Sequence, residues 1–218
     1  MGQAGNARGD CAAAPGLEEP LPAGQWGNGR LWGLRLLLMF RPQGMRDFFE
    51  TVEVRQSIRA YQARPLEPGQ LEQILRAVQR APSAGNLQAF EVVVVRDPVT
   101  IRALAVLCYN QMFIAQAPVV LVFCADPARS AARYGAKGEA LYSVQDATIA
   151  AAYAELAVAA LGLGTCWIGA FDEEELARRL KLRPGLRPVA LFPIGWPAEQ
   201  PQRTSRRPLE EMVHEYRP

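Results

Sequence analysis

The stretch Pro118-Val-Val-Leu-Val-Phe-Cys124 decides the architecture of this chain. Its apolar residues, rich in β-branched side chains, predict a strand that is buried on both faces. The stretch Phe90-Glu-Val-Val-Val-Val95 predicts a second buried strand, and segments 165–169 and 188–195 predict two more. Together these strands predict a central sheet on which the rest of the chain packs.

Helical patterns fill the segments between these strands. Apolar residues from Leu71 to Val78 recur at i, i+3, i+4 and i+7, which predicts a helix over residues 68–80. Further helices are predicted over residues 45–52, 101–108 and 148–163, and Asp172 is expected to cap another. The polar segment 130–141 contains glycine and predicts a mobile excursion. Because helices and strands mix without strict alternation, the sequence predicts an α+β fold.

The first 44 residues differ in composition from the rest of the chain. They are rich in Gly, Ala, Pro and Arg and show no sustained helix or strand period. Residues 31–40 are apolar, but this run is too short for a membrane span and contains Arg35. We interpret residues 1–44 as a disordered extension or a wrongly assigned start, and residues 45–218 as the folded domain, which begins at Met45.

Charge and residue usage argue against several classes of function. The net charge of +2 is too small to favour nucleic acid or an anionic membrane as a partner. The four cysteines form no CxxC pair and His214 is the one histidine, so no metal site is expected. Scattered cysteines on apolar segments predict buried thiols in a reducing cytoplasm. The sequence has neither a GxGxxG motif nor a P-loop, so a nicotinamide would bind without a domain of its own.

Arg55, Ser57 and Arg59 are spaced by two along the chain. In an extended segment their side chains would face one way, about 6.6 Å apart per pair. Two guanidinium groups and a hydroxyl on one face suit a phosphate, because arginine keeps its charge and offers paired donors. The spacing alone also fits an ordinary solvated basic face that carries a capping serine.

Three motifs in order along the chain resemble the nitroreductase family of FMN enzymes. They are Arg55-x-Ser57-x-Arg59-x-Tyr61, the loop Ala81-Pro82-Ser83-Ala84-Gly85-Asn86-Leu87-Gln88, and Gly162-Leu-Gly-Thr-Cys-Trp-Ile-Gly-Ala-Phe171. The resemblance extends from about Met45 to Pro218. It implies a nitroreductase-like mixed central β-sheet flanked by helices, and a homodimer with two FMN sites at the subunit interface.

The resemblance implies a role for each arginine of the first motif. Arg55 and Ser57 would bind the FMN phosphate, together with Arg206 or the adjacent Arg207. Arg59 would lie near flavin N1 and the C2 carbonyl. A fixed cation there would stabilise the negative charge of the reduced ring.

The other two motifs imply contacts with the flavin ring. The loop that the second subunit lays over the flavin would contain Pro82, Ser83, Ala84 and Asn86. The opposite face would be lined by Trp167, Ile168, Gly169 and Ala170, while Gln111 would reach the pyrimidine edge. The backbone N–H of Gly169 is the candidate donor to flavin N5, since glycine permits close approach.

The reaction implied by the resemblance is hydride transfer from NADH or NADPH through flavin N5. The acceptor would be a nitroaromatic, a quinone or an enone, reduced in a ping-pong mechanism without a side-chain acid or base. Three alternatives stay open: a non-catalytic module that binds or senses FMN, a specialised flavin reaction on the same scaffold, and a structural protein without a cofactor.

The chain departs from the family pattern at two places. Gln88-Ala89-Phe90 stands where members often have Gln-Pro-Trp, and Thr204 stands where many carry a lysine. Asp146, which follows Gln145, is predicted to be the N-cap of the alanine-rich helix.

Overall fold

A computed structural model describes residues 46–217. The segment 1–44 and Met45 lie outside the described residues, so the extension and the start of the domain at Met45 stay predictions.

The described residues form six α-helices and four strands. The helices are α1 Phe48–Val54, α2 Gln70–Gln79, α3 Pro98–Leu107, α4 Pro127–Lys137, α5 Ser143–Ala160 and α6 Glu173–Arg179. The strands are β1 Phe90–Val95, β2 Val119–Ala125, β3 Gly164–Thr165 and β4 Arg187–Gly195. Short 3₁₀ turns cover Ala84–Asn86, Met112–Gln116 and Leu209–Glu211, and a π-helical turn, Gly138–Tyr142, joins α4 to α5.

The strands form one sheet in the order β1-β2-β4-β3, and neighbouring strands run antiparallel. One parallel bridge joins Ser57, which lies outside the four strands, to Thr165 of β3. Every residue of β2 is buried, which confirms the prediction that this stretch is covered on both faces. Its alternate side chains enter two cores, with α3 and α6 on one face and α2 and α5 on the other. The predicted α+β class is confirmed.

The alanine-rich helix α5 lies directly on the sheet. Ala150, Ala151 and Ala154 are fully buried and pack in the same core as Phe123 and Phe192. Small side chains let the helix approach the strands closely. The helix begins five residues before the predicted residue 148, and it ends where Gly162 takes a positive φ of 72°.

Segment 130–141 was predicted to be a mobile excursion, and this is wrong. It lies in α4 and in the π-helical turn. The signals for this helix precede the segment: the Asp126 carboxylate accepts from the Arg129 backbone N–H, and Pro127 occupies the first turn. Gly135, at φ 55° and ψ −145°, interrupts the helix without ending it.

Strand β1 has the predicted bounds, but it is not fully buried. It lies at the edge of the sheet, and of its six residues only Val95 is buried. Glu91 and Val94 are exposed, since β1 pairs with β2 on one side only. A run of apolar residues does not distinguish an edge strand from a central one.

The remaining elements differ from their predicted bounds by a few residues. The helix predicted at 45–52 is Phe48–Val54, that at 68–80 is Gln70–Gln79, and that at 101–108 is Pro98–Leu107, while the strand predicted at 165–169 shortens to Gly164–Thr165. Asp172 caps α6 as predicted, because its carboxylate accepts from the Glu175 backbone N–H at 3.0 Å. Among the described helices, none is long and apolar enough to cross a bilayer.

Cys108, Cys124 and Cys166 are buried free thiols, as predicted, while Cys11 lies outside the described residues. Burial raises the pKa of Cys108 and of Cys124 to about 12. In a Cys11→Ser variant, the remaining thiols should therefore react with a disulfide reagent at least about 100-fold slower than free cysteine in mildly alkaline buffer. Stopped-flow absorbance measures this rate. Unfolding in guanidinium should raise the rate, because it exposes the thiols. Rapid labelling of all three thiols in the native protein would contradict the assignment.

Candidate functional site

The segment that follows α1 is fixed to the sheet by backbone contacts. Arg55 leaves the helix at φ −58° and ψ 123°, so the chain becomes extended as predicted. Ser57 forms a parallel bridge with Thr165, and the Ile58 N–H donates to the Thr165 carbonyl at 2.9 Å. The segment therefore extends the sheet beyond β3.

Two residues contact this segment at Ile58. Gly164 lies against Ile58, and a Cβ on Gly164 would lie 2.8 Å from Cγ1 of Ile58. The buried Tyr61 hydroxyl donates to the Ile58 carbonyl at 2.7 Å. Burial raises the pKa of Tyr61, so the hydroxyl keeps its proton and stays a donor. Glycine fits at position 164 because a larger residue would force Ile58 to shift.

The extended segment forms one wall of an open cleft of about 560 Å³. The cleft brings together four of the predicted site residues, Arg55, Ser57, Arg59 and Arg206. The opposite wall is formed by residues 201–204 and Arg206. The volume lies within the range of about 300–1,000 Å³ typical of small-molecule sites.

The cleft has an excess of positive charge. Four arginines and one glutamate line it: Arg55, Arg59, Arg203, Arg206 and Glu53. Arg203 forms an ion pair with Glu53, so these two charges offset one another. The remaining guanidinium groups lie on both walls, and the Ser57 hydroxyl lies between Arg55 and Arg59 along the chain. Such a donor set fits a phosphate group, which arginine binds through charge-assisted hydrogen bonds.

Arg55 has a carboxylate partner that the sequence reasoning missed. Its Nη1 lies 3.1 Å from Oε1 of Glu155 on α5, and the two side chains are only 23% and 16% exposed. One guanidinium nitrogen is thus engaged, which orients the group and leaves its other nitrogens for a ligand. A signal was present in the sequence, because Glu155 is the one charged residue in the predicted helix 148–163.

Glu199 is a second acidic residue that was missed. Its side chain accepts a hydrogen bond from the Arg59 backbone N–H. This contact joins the extended segment to the chain that follows β4, and it crosses 140 residues of sequence. No local spacing of residues in the sequence predicts this contact.

The loop 82–86 contributes no residue to this cleft within the described chain. It packs instead against α4 and α5. Ala84 donates its N–H to the Asp146 carboxylate at 2.9 Å, and Arg129 donates through Nε to the Leu87 carbonyl at 2.6 Å. The Ser83 hydroxyl accepts from the Gln88 N–H at 2.9 Å, so this side chain shapes the loop itself.

The prediction that Asp146 caps α5 is wrong. Helical geometry runs continuously from the π-helical turn into α5, so Asp146 lies inside the helix with Tyr142 at its N-cap. Its carboxylate accepts instead from backbone groups of the loop. The predicted cap is wrong because the segment before it, predicted to be a mobile excursion, is helical.

The segment after β3 presents backbone to solvent. The Trp167 ring packs on Phe192, with ring centroids 5.1 Å apart, and Ile168 is 2% exposed and pairs with Leu191. Their side chains therefore belong to the core. Gly169 and Ala170 are exposed, which leaves their backbone accessible to a ligand.

Residues 167–170 lie outside the lining of the cleft, and so do two other predicted site residues, Gln111 and Arg207. Gln111 donates from its side chain to the Cys108 carbonyl at 3.0 Å. Arg207 is exposed, and its Nε lies 3.9 Å from the Glu211 carboxylate. Across residues 46–217, no group of three or more His, Cys, Asp or Glu residues is placed to hold a metal ion.

Comparisons with known proteins identify the family of the chain. The model of the Nitroreductase family matches residues 52–113 and 105–196. The chain is 35% identical over 186 residues to a protein of Thermus thermophilus named NADH dehydrogenase, covering 73% of this chain and 91% of that protein. It is also 35% identical over 184 residues to the FMN reductase (NAD(P)H) of Bacillus subtilis, covering 78% and 74%.

A solved structure shows the same fold. The NADPH:FMN oxidoreductase from Vibrio harveyi complexed with NAD+ superposes with a TM-score of 0.72 at 28% identity. The match covers 79% of this chain and 78% of that one.

The close contact at Gly164 generates a stability prediction. Gly164→Ala should lower the free energy of unfolding by about 1–3 kcal/mol, because the added methyl group overpacks against Ile58. Urea denaturation measures this loss. Gly169→Ala is the matched control, since the nearest atom to its added Cβ is Trp167 Nε1 at 3.7 Å. Equal stability of the two variants would contradict the proposed packing.

Proposed function

The chain belongs to the nitroreductase family, and we propose that it is an FMN-dependent oxidoreductase that passes hydride from NAD(P)H to a second substrate. The observation that carries this proposal is the arginine-lined cleft beside the extended segment 55–59. Relatives named FMN reductase and NADPH-flavin oxidoreductase support the same cofactor.

The residues of the cleft fit the phosphate end of FMN. Arg55, Ser57 and Arg206 would hold the phosphate from the two walls, with Arg207 as an adjacent candidate. The Glu155 contact orients Arg55 before the ligand arrives, which lowers the entropic cost of binding. A phosphate held in this way fixes the rest of the cofactor relative to the sheet.

The ring end of the cofactor would meet Arg59 and the exposed backbone after Ile168. When bound, FMN supplies hydride transfer at its N5 atom. The guanidinium of Arg59 would stabilise negative charge on the pyrimidine side of the ring, and the Gly169 N–H is the candidate donor at N5. The chemistry proposed here assigns no side chain the role of general acid or base.

We propose a ping-pong order for the two substrates. Without a dinucleotide-binding domain, NAD(P)H would stack where the acceptor later binds, so the two substrates would occupy one place in turn. A nitroaromatic, quinone or enone fits such a site, because each is a flat, electron-poor acceptor. The cysteines of the described residues are free thiols, and this fits action in the reducing cytoplasm.

We also propose a homodimer. The described residues expose large apolar side chains on α1 and on the C-terminal segment: Phe48, Phe49, Val52, Leu209, Met212, Val213 and Tyr216. Phe49 is 81% exposed and Tyr216 is 89% exposed. Exposed apolar patches of this kind typically mark an interface. In the dimer, the loop 82–86 of one protomer would cover the flavin of its partner.

Anaerobic mixing of the FMN-loaded protein with NADH and then NADPH tests the proposed activity. Bleaching of the flavin absorbance followed by recovery on addition of a quinone is the expected result. A flavin that neither nicotinamide bleaches would support a module that binds or senses FMN without catalysis.

Arg55→Ala should weaken retention of FMN, because the phosphate loses a charged partner worth roughly 1.5–3 kcal/mol. The fraction of FMN left after dialysis, read from its absorbance, measures this effect. Arg76→Ala is the control, since Arg76 lies exposed on α2, where it pairs with Glu72, and does not line the cleft. Full FMN content in the Arg55→Ala variant would remove Arg55 from the phosphate site.

Arg59→Ala should slow reduction of the bound flavin by roughly 10-fold to 100-fold, as expected when a charge that stabilises the reduced ring is lost. Anaerobic stopped-flow absorbance measures the rate in protein reconstituted to equal FMN content. Arg59→Lys keeps the charge and should recover part of the rate. An unchanged rate in Arg59→Ala would refute the electronic role of this residue.

A further inference from the structure

A buried carboxylate on α5 has no part in the function proposed above. Asp146 is 2% exposed, and it does not occur among the ion pairs of the described residues. A charged group in such a place is unfavourable unless hydrogen-bond donors surround it. Both hydrogen-bond donors to Asp146 are backbone amides of a single loop, which indicates that the carboxylate holds this loop.

The two carboxylate oxygens of Asp146 bind opposite ends of that loop. Oδ1 accepts from the Ala84 N–H at 2.9 Å, and Oδ2 accepts from the Ala89 N–H at 3.3 Å. One side chain therefore bridges the first and the last residue of segment 84–89. A neutral isostere cannot replace it, because an amide has only one acceptor oxygen and would turn its NH₂ group toward the other N–H.

Contacts with α4 and α5 stabilise the backbone conformation of the loop. Gly85, Asn86 and Gln88 have φ values of 56°, 56° and 51°, in the left-handed region. Residues that carry a side chain occupy this region less readily than glycine does, so Asn86 and Gln88 depend on contacts that stabilise their conformation. Arg129 holds the middle of the loop through the Leu87 carbonyl, and Asp146 holds both ends.

We infer that Asp146 is a positioning residue that fixes loop 84–89 in the shape that covers the flavin of the partner protomer. The inference rests on the proposed function, since the cover and the dimer belong to it. Asp146 would act on the site of the other protomer, because the loop does not line the cleft of its own. Its effect would reach the cofactor only through the loop.

Hydrogen exchange, measured by NMR on the full-length protein, tests whether Asp146 holds the backbone of the loop. In Asp146→Ala, the amides of Ala84 and Ala89 should exchange about tenfold faster or more, since each loses a charge-assisted acceptor. Asp146→Asn should release at least one of them, and it keeps the shape of the side chain if the alanine variant fails to fold. Asp97→Ala is the control: Asp97 accepts from the Thr100 N–H on α3, and its loss should leave the loop amides unchanged.

A mixed dimer tests the action across the interface. Arg55→Ala and Asp146→Asn chains, carrying different tags, are co-expressed, and the heterodimer is purified. One of its two sites would combine intact phosphate residues with an intact loop. The heterodimer should therefore recover about half of the wild-type flavin reduction amplitude, while both parent homodimers stay low.

The outcomes separate this inference from the proposed function. Unchanged exchange of Ala84 and Ala89 in both Asp146 variants would overturn the positioning role. Faster exchange without recovery in the heterodimer would overturn its action on the partner. Wild-type protein that binds no FMN would refute the proposed function, and with it the role at the flavin, while the exchange data would still decide whether Asp146 fixes the loop.

Discussion

The hydrogen bond from the Ile58 amide to the Thr165 carbonyl, 2.9 Å long, joins the chain after α1 to the edge of the sheet. The arrangement of the cleft depends on it. Because Ser57 pairs with Thr165 in the same bridge, the side chains on either side of Ile58 are directed away from the core. Gly164 and Tyr61 make the contact possible, one by its lack of a side chain and the other by its buried hydroxyl.

Acidic residues lie beside some of the arginines around this segment. Arginines dominate the cleft, but acidic residues engage some of them from the side: Glu155 meets Arg55 and Glu53 meets Arg203. Such contacts restrict long side chains that would otherwise sample many rotamers. They also moderate mutual repulsion between the guanidinium groups in the free protein. The site therefore keeps a positive field without leaving every arginine unpaired.

Local patterns predicted the elements that local residues determine. The fully buried β2 and the alanine-rich α5 follow from runs of apolar residues, and Asp172 follows from its distance to Glu175. The helix α4 was missed because the glycine and polar residues within it resemble a loop. Its N-cap, Asp126, lies outside the segment 130–141 for which a mobile excursion was predicted. The edge position of β1 depends on the order of strands, which periodicity does not encode.

Arg55, Arg59 and Arg206 were predicted through motif resemblance, whereas Arg203 and the acidic partners of the arginines were not. Glu155 lies 100 residues from Arg55, and Asp146 lies 62 residues from Ala84. The periodicity of residues in a single sequence does not predict contacts over such separations. They require the folded arrangement of α5 against both the extended segment and the loop.

The loop 82–86 does not line the cleft of its own chain, and in the proposed dimer this links two equilibria. A ligand that touches two chains binds the assembled pair more tightly than the separated chains. By mass action, the cofactor then favours association, and dilution of the protein favours its release. The apparent affinity for FMN would thus vary with protein concentration, as a property of the pair and not of either chain alone.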